Sequence, residues 1–508
     1  MKTLCYSIVF LISTCCITTA QTNCVPGSVY DFNGYLDAFK SIVKLDNGDY
    51  ITGGGTLNLL SSNSNMCFAR IDVCGDTIWT HAYGQLNESF VDADIYYKAG
   101  DNFVVSTSSY YSHVTQMYGY AMVKLSLNGD TIWLRTYLNS IKVSGPKDVI
   151  QTSDGGFALI GFSQNFPNDY ARIWFIKTDA EGNMEWERYY GTDGNSESGE
   201  HLMQLPDGGY LILGRRNNVT AEVVRIWLIR TDPQGDVLWE RFYGNNYFTG
   251  GTHIIPVSDG FMLVGTQHPG TTWQTNGDAY VLKTDTFGIT QWSHTFGGYY
   301  YEQFDKIMQL SDGNFMILGS TSTFGTGGGS PDGWLFKISA EGDSLWSRTY
   351  RYETAADRSE YLWDFQPAPD GGFMLAGFCG RVFPNNQDAW VIRTDSLGNP
   401  CPPYNGCDWP VGIAPVPLLG GAGVVVYPNP AQNTLQITFP DLSAGSLSEA
   451  ETSLTLLSLT GQTVLQTTLG AGETSKTISV AHLPVGVYVY TVAQSGAVLA
   501  RGKVAVVR

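Results

Sequence analysis

Six residues before each of a series of hairpin aspartates, or the position equivalent to one, stand Asp94, Asp148, His201, His253, Lys306 and Asp364, with Ser41 at the matching place nearest the N-terminus. Carboxylates, imidazoles and an ammonium group are the side chains that bind cations or polar ligands. A column of this kind does such chemistry only if the fold brings its members together. If the strand that carries it lines a central channel, opposed carboxyl and imidazole groups face one another there. A second set of candidates consists of aromatic residues outside any repeated pattern, Tyr110, Tyr111, Trp273, Tyr299, Tyr300 and Tyr301, read as lying in variable loops where they would stack on a ligand. No phosphate loop, dinucleotide fingerprint, His-Glu-x-x-His helix, Gly-x-Ser-x-Gly elbow or EF-hand loop is present, and no catalytic residue, metal ligand or cofactor is assigned.

The elements that would position these residues recur along the chain. The phrase apolar-apolar-basic-x-Asp/Ser-x-x-Gly-x-x-x-Trp places turn glycines at Gly75, Gly129, Gly182, Gly235, Gly288, Gly342 and Gly398, with separations of 54, 53, 53, 53, 54 and 56. The basic member is Arg70, Lys124, Lys177, Arg230, Lys283, Lys337 or Arg393. Upstream of it runs a second phrase, clearest as Asp154-Gly155-Gly156-Phe157 and Asp207-Gly208-Gly209-Tyr210, and Asp-Gly between two apolar runs is a strong hairpin signal. Each repeat therefore holds two hairpins and four antiparallel strands, in the third repeat Asp148 to Thr152, Phe157 to Ser163, Ile173 to Thr178 and Met184 to Tyr190. Ile173-Trp174-Phe175-Ile176 is apolar without alternation, so its sheet must be covered on both faces. Radial stacking provides that cover, and seven repeats imply a seven-bladed β-propeller. The tryptophans Trp79, Trp133, Trp186, Trp239, Trp292 and Trp346, with Trp174 one strand earlier, then pack between blades. Gly54, Gly161, Gly214, Gly265, Gly319 and Gly377, each four places after the hairpin aromatic, mark close backbone approach near the axis, with Thr107 as the exception.

The seventh repeat lacks its last strand, because Pro400-Cys401-Pro402-Pro403 stands where the Trp phrase should be and proline cannot donate to a ladder. The segment Ser28 to Gly34 has the missing strand's pattern and is expected to close the ring. A Cys24 disulfide to Cys401 or Cys407 would lock that closure. The six cysteines beyond the leader, Cys24, Cys67, Cys74, Cys379, Cys401 and Cys407, are read as structural, with their pairing open.

The N-terminus runs from Lys2 through an apolar stretch to Thr18-Thr19-Ala20, a secretory signal cleaved after Ala20, and no later run is long enough to span a membrane as a helix. A net charge of -18 opposes a broad grip on nucleic acid, so no nucleic-acid partner is expected. The organisation is residues 1–20 leader, 21–401 propeller, 402–423 Pro/Gly-rich linker and 424–508 a small β-sandwich.

That last segment carries Val426-Tyr427-Pro428-Asn429-Pro430, then Leu459-Thr460-Gly461-Gln462, then Leu483-Pro484-x-Gly486-Val487-Tyr488, and finally Gly502-Lys503-Val504. In order and spacing these resemble the C-terminal sorting domain of type IX (Por) secretion substrates. The resemblance implies recognition by the outer-membrane translocon through residues 424–508, removal of the domain near the linker, and a passenger that is released or held at the outer cell surface. Asp76-Thr77-Ile78, Asp130-Thr131-Ile132, Asp343-Ser344-Leu345 and Asp395-Ser396-Leu397 resemble the O-glycosylation signal of the same bacteria, and equally fit ordinary turn positions of the repeat. The function that follows is a secreted or surface-displayed, non-catalytic propeller binding an extracellular glycan, protein or matrix ligand. The alternatives are a polysaccharide-active hydrolase or lyase and a structural or adhesive surface protein.

Overall fold

The computed structural model of the 508-residue chain is all-β and divides into two compact units, Cys24–Pro402 and Pro403–Arg508. Within the first it describes residues 28–400 apart from 31, 33–35, 58–63, 74, 85–87, 141–142, 165–169, 245–247, 269–276, 326–328, 353–358 and 381–386. Within the second it describes 425–427, 433–438, 452–458, 463–469, 475–484, 486–494 and 497–506. The segments read from the sequence as leader and linker, together with Cys24, Cys74, Cys401 and Cys407, lie outside the described residues.

The larger unit is a seven-bladed β-propeller of four-stranded antiparallel sheets. Blade 3 is Ser144–Gln151, Phe157–Ser163, Arg172–Thr178 and Met184–Tyr190, the four strands read from the sequence with a longer first strand. Blade 7 takes its fourth strand from the N-terminal side: Ser28–Tyr30 pairs antiparallel with Gln387–Thr394, Val29 opposite Trp390. The ring closes as expected.

Apolar residues on both faces of each sheet leave one core between every pair of neighbouring blades, seven in all. That between blades 5 and 6, for example, joins Met262, Val264 and Val281 to Phe304, Ile317 and Trp334. The repeated tryptophans serve these interfaces. A Cβ on Gly182, Gly235 or Gly398 would sit 3.0–3.2 Å from the ring of Trp133, Trp186 or Trp346 in the preceding blade. The turn glycine, at positive φ in every blade, thus lets a turn lie against the neighbour's indole. A tyrosine four places after the tryptophan donates its hydroxyl to the same turn: Tyr137 to the Gly182 carbonyl (2.7 Å), Tyr190 to Gly235 (2.7 Å), Tyr243 to Gly288 (2.5 Å) and Tyr350 to Gly398 (2.6 Å). The hairpin aspartates pair with the basic residue of the repeat, as in Asp154 with Lys177 (2.8 Å), Asp259 with Lys283 (2.9 Å) and Asp370 with Arg393 (2.8 Å).

Five of the six strand glycines mark close approach within their own blade, while Gly214 meets the Ile173 side chain of the preceding blade first, at 2.8 Å. A Cβ on Gly54, Gly161, Gly265, Gly319 or Gly377 would lie 1.8–2.2 Å from a carbonyl oxygen of the first strand of its own blade. That strand is bulged there, one extra residue entering the ladder, and the glycine accommodates the bulge. Where the glycine is Thr107 the register changes: Asp94 faces Thr107 itself, whereas Ser41 and Asp148 face the residues before Gly54 and Gly161.

In the smaller unit, Val425–Tyr427, Thr434–Thr438 and Ser475–Ser479 form one antiparallel sheet and Thr463–Leu469, Thr452–Leu457, Gly486–Gln494 and Ala497–Val506 another. Leu435 and Ile478 from the first share a core with Leu454, Tyr490, Val492 and Val506 from the second, which is a β-sandwich. Of its motif residues Tyr427, Gly486, Tyr488 and Lys503 lie on strands, with the Tyr488 hydroxyl donating to the Pro484 carbonyl (2.7 Å). Pro428, Asn429, Pro430 and Gly461 lie outside the described residues.

Candidate functional site

The bulge fixes the site. In each first strand the register shifts immediately before the column residue, between Phe39 and Ser41, Val91 and Asp94, Pro146 and Asp148, Gly199 and His201, Gly251 and His253, Phe304 and Lys306, and Leu362 and Asp364. All seven column residues line one cavity of about 820 Å³ in the propeller. The structure thus brings Asp94, Asp148, His201, His253, Lys306 and Asp364 together with Ser41, and the innermost-strand expectation holds as geometry.

Part of this ring is tied up in joining blades. Asp364 of blade 7 accepts hydrogen bonds from the Ile42 N–H (2.9 Å) and the Ser41 hydroxyl (3.1 Å) of blade 1, and pairs with the Lys306 ammonium of blade 6. Asp148 of blade 3 accepts from the Leu202 N–H of blade 4 (2.7 Å), with the His201 Nε2 3.7 Å from the same oxygen. The His201 and His253 rings lie 4.1 Å apart between centroids at 52°.

Burial sets the charge of the rest. It pushes the Asp94 carboxyl up to about 6, helped by the charge of Asp364, and lifts Asp148 well above the usual carboxylate range, helped by Asp94. It lowers His201 to about 3 and holds His253 well below the usual imidazole range, with the Lys306 charge acting in the same direction on both. The ring therefore presents neutral imidazoles, and acids that hold their protons more readily than exposed carboxyls do, around one ion pair.

A second ring accompanies the first, and the sequence reading did not find it. The residue displaced by the bulge also lines the cavity: Lys40, Lys147, Glu200, Thr252, Asp305 and Trp363 in blades 1 and 3 to 7. The Lys40 ammonium stands 3.4 Å from the Trp363 ring centroid, and Glu200 lies 3.6 Å from Arg215. Burial pushes Asp305 up to about 7 against the lowering effects of Gln303 and Lys40. The available signal was the glycine four places after each hairpin aromatic, which demands a bulge across the ladder and so a second inward-facing position.

The loop aromatics require correction. Tyr110 and Tyr111 belong to the strand Phe103–Ser112, in blade 2. Tyr110 is buried in the core between blades 1 and 2 with its hydroxyl donating to Glu88 (2.9 Å), and Tyr111 lies 4.4 Å from the Tyr118 ring. The run of serines and tyrosines there extends the strand where other repeats turn. Tyr299 and Tyr300 are exposed in the loop before blade 6, Tyr301 is partly buried with its hydroxyl donating to Gln303 (2.7 Å), and none of the three lines the cavity. Trp273 lies outside the described residues. Aromatic character in the cavity comes instead from Trp363, Tyr96, Tyr97 and Phe162.

Among the described residues there is no disulfide. Cys67 and Cys379 are fully buried on strands of blades 1 and 7 and belong to different interblade cores. Among the described residues no three His, Cys, Asp or Glu side chains converge as a metal site, and no helix is long and apolar enough to cross a membrane.

Residues 425–506 match the family model of the secretion system C-terminal sorting domain. No curated protein matches the chain. Among solved structures it is similar to the Dos1 propeller, at 10% identity over 74% of this chain and 88% of that one with a TM-score of 0.41. It is similar too to the β-propeller domain of the Trilobed protease from Pyrococcus furiosus, at 9% identity over 76% and 98% with a TM-score of 0.40. A GH43 β-1,3-galactosidase aligns at 11% identity over 75% and 99% with a TM-score of 0.32. Likeness at this level says nothing of ligand or reaction.

Proposed function

Because residues 425–506 are a type IX secretion sorting domain and the chain is exported to the cell surface or beyond it, we propose that its propeller is a non-catalytic extracellular receptor that takes a ligand into the channel. The observation that carries this reading is the cavity itself: all seven blades contribute to its wall at one bulged position, and the side chains there differ from blade to blade. A volume of about 820 Å³ falls within the range of pockets that enclose small ligands or a few sugar units. Polar groups interleaved with aromatic side chains, as Trp363, Tyr96, Tyr97 and Phe162 are in this wall, are what a glycan or a peptide segment requires.

Hydrolysis is the less favoured reading because two of the carboxyl groups of the ring are committed elsewhere. Asp364 accepts two hydrogen bonds from blade 1 and faces Lys306, and Asp148 accepts from Leu202, so neither is left to act as nucleophile or base. The leader over residues 1–20 and the linker over 402–423 complete the proposal as export signal and cleavage region. The test is a binding screen of the exported protein against glycans, with the same polysaccharides assayed for release of reducing ends. Binding that Trp363→Ala weakens at least tenfold, without product, is the expected result. Product formation lost on Asp148→Asn would replace the proposal with an enzyme.

A further inference from the structure

The outer rim departs from the repeat at one place. In every other blade the residue after the turn glycine is Asp or Asn, namely Asp76, Asp130, Asn183, Asp236, Asp343 and Asn399, and in blade 5 it is Ile289. That position serves the preceding blade. Asp236 lies 3.6 Å from Arg188, and Asn399 accepts from the Arg348 Nε (3.4 Å). The equivalent arginine of blade 4, Arg241, meets the next turn in the same way, since a Cβ on Gly288 would stand 3.0 Å from its Cγ and from the Trp239 ring. Ile289 offers it no acceptor. Arg241 donates to the Glu240 carbonyl (2.8 Å) and forms no ion pair among the described residues.

The same edge is apolar. Val237–Tyr243 is the outermost strand of the blade 4 sheet, and its only charged members are Glu240 and Arg241. Val237, Leu238 and Phe242 are all exposed on it, more large apolar side chains than any other fourth strand exposes, and so are Phe287 and Ile289 on the abutting turn. An exposed apolar patch beside an unprotected strand edge is the surface on which another strand pairs.

We infer that this edge is an interface between two copies of the chain, paired antiparallel about a two-fold axis so that two four-stranded sheets become one. Charge decides the register. A pairing that sets Glu240 opposite Glu240 of the second copy opposes like charges, whereas one that sets it opposite Arg241 of the second copy makes two ion pairs. The latter also sets Trp239 opposite Phe242 and Leu238 opposite Tyr243, each twice. Directly opposed residues share a face of the sheet and successive residues do not. Leu238, Glu240 and Phe242 of one copy therefore lie level with the side of the other copy on which its blade 5 turn sits, and Phe287 and Ile289 of that turn cover them. The acid that Ile289 denies to Arg241 is supplied by Glu240 of the second copy. The Glu240 carboxylate accepts from the Trp227 Nε1 (2.9 Å), which fixes it in place and leaves it lone pairs for a further donor. None of these residues lines the channel, so the interface is independent of any ligand bound there.

The experiment is sedimentation velocity of the full-length chain over about a hundredfold range of concentration, for the wild type and for Leu238→Lys, Ile289→Asp, Arg241→Glu and Glu240→Arg, with thermal unfolding of each as the check on folding. The wild type is expected to form a concentration-dependent dimer. Leu238→Lys places a charge on the edge, and Ile289→Asp gives Arg241 an acid of its own as Asp236 does for Arg188, so each should weaken the dimer roughly tenfold or more. Arg241→Glu and Glu240→Arg should each be monomeric alone, because each opposes like charges across the axis. Mixed together they should associate, because the mixture restores two opposite-charge pairs. A wild type that is monomeric throughout overturns the inference, as does a dimer that Leu238→Lys and Ile289→Asp leave unaltered. A dimer that those two variants weaken, but that mixing the charge variants fails to re-form, overturns the register and with it the pairing of Glu240 with Arg241.

Discussion

The blade interfaces and the channel wall are built from the same seven repeats, and they use repetition in opposite ways. At the interfaces one solution recurs: a tryptophan under the next blade's turn glycine, a tyrosine hydroxyl on that glycine's carbonyl, and a hairpin aspartate on the basic residue of the repeat. At the channel the backbone device recurs, a bulge in every first strand, while its side chains run through lysine, glutamate, threonine, aspartate and tryptophan. Identical side chains in identical places do a job that every blade shares, which is packing. Different side chains on an identical backbone device together form one asymmetric surface, as a ligand requires.

The comparison predicts that interface substitutions cost stability and spare binding, while channel substitutions do the reverse. The largest effect should come from Trp334→Ala, which empties a fully buried site in the core of blades 5 and 6 and should cost about 3–5 kcal/mol in denaturant unfolding. Next is a pH effect confined to the channel. The Asp305 carboxyl is raised from 3.8 to about 7, so the folded state holds its proton more tightly than the unfolded chain. Its stabilising contribution is full below about pH 4 and is lost as pH rises to about 7, on the order of 4 kcal/mol. Asp305→Asn should flatten that part of the stability curve relative to wild type, and parallel curves would show that the group is not buried as described.

Gly377→Ala tests both regions at once. Its Cβ would fall 1.8 Å from the Tyr361 carbonyl, so the bulge must shift, at a cost of about 1–3 kcal/mol, and Asp364 with it. Thermal unfolding reads the cost, and loss of ligand binding reads the displacement of Asp364. Tyr243→Phe removes one latch and should cost about 1 kcal/mol. The reverse change Phe296→Tyr, at the matching place of blade 5, should add a comparable amount if the hydroxyl reaches Gly342. Smallest for stability is Lys147→Ala, within about 0.5 kcal/mol because the side chain is exposed, so that any loss of binding is read without a folding defect.

Much of the molecule was legible in the sequence because each feature was written locally and then repeated. Asp-Gly turns, runs such as Ile173-Trp174-Phe175-Ile176 and a period near 53 residues determine blade, blade number and ring. The proline run at 400–403 determines that another segment must finish blade 7, and Ser28–Tyr30 does so. The column of ionisable residues was equally legible, since aligning repeats superimposes what the propeller later brings together. Tertiary structure alone decided what those groups do. Whether Asp364 is a ligand or a latch depends on Ile42 and Ser41, more than 300 residues away in the chain and adjacent only once the ring closes. Whether Asp94, Asp148 and Asp305 are charged depends on how deeply seven strands bury them, a property of the assembled channel that no stretch of sequence carries. The second ring, from Lys40 to Trp363, arises because a bulge turns two successive residues toward one face, against the alternation by which a strand is read from its sequence.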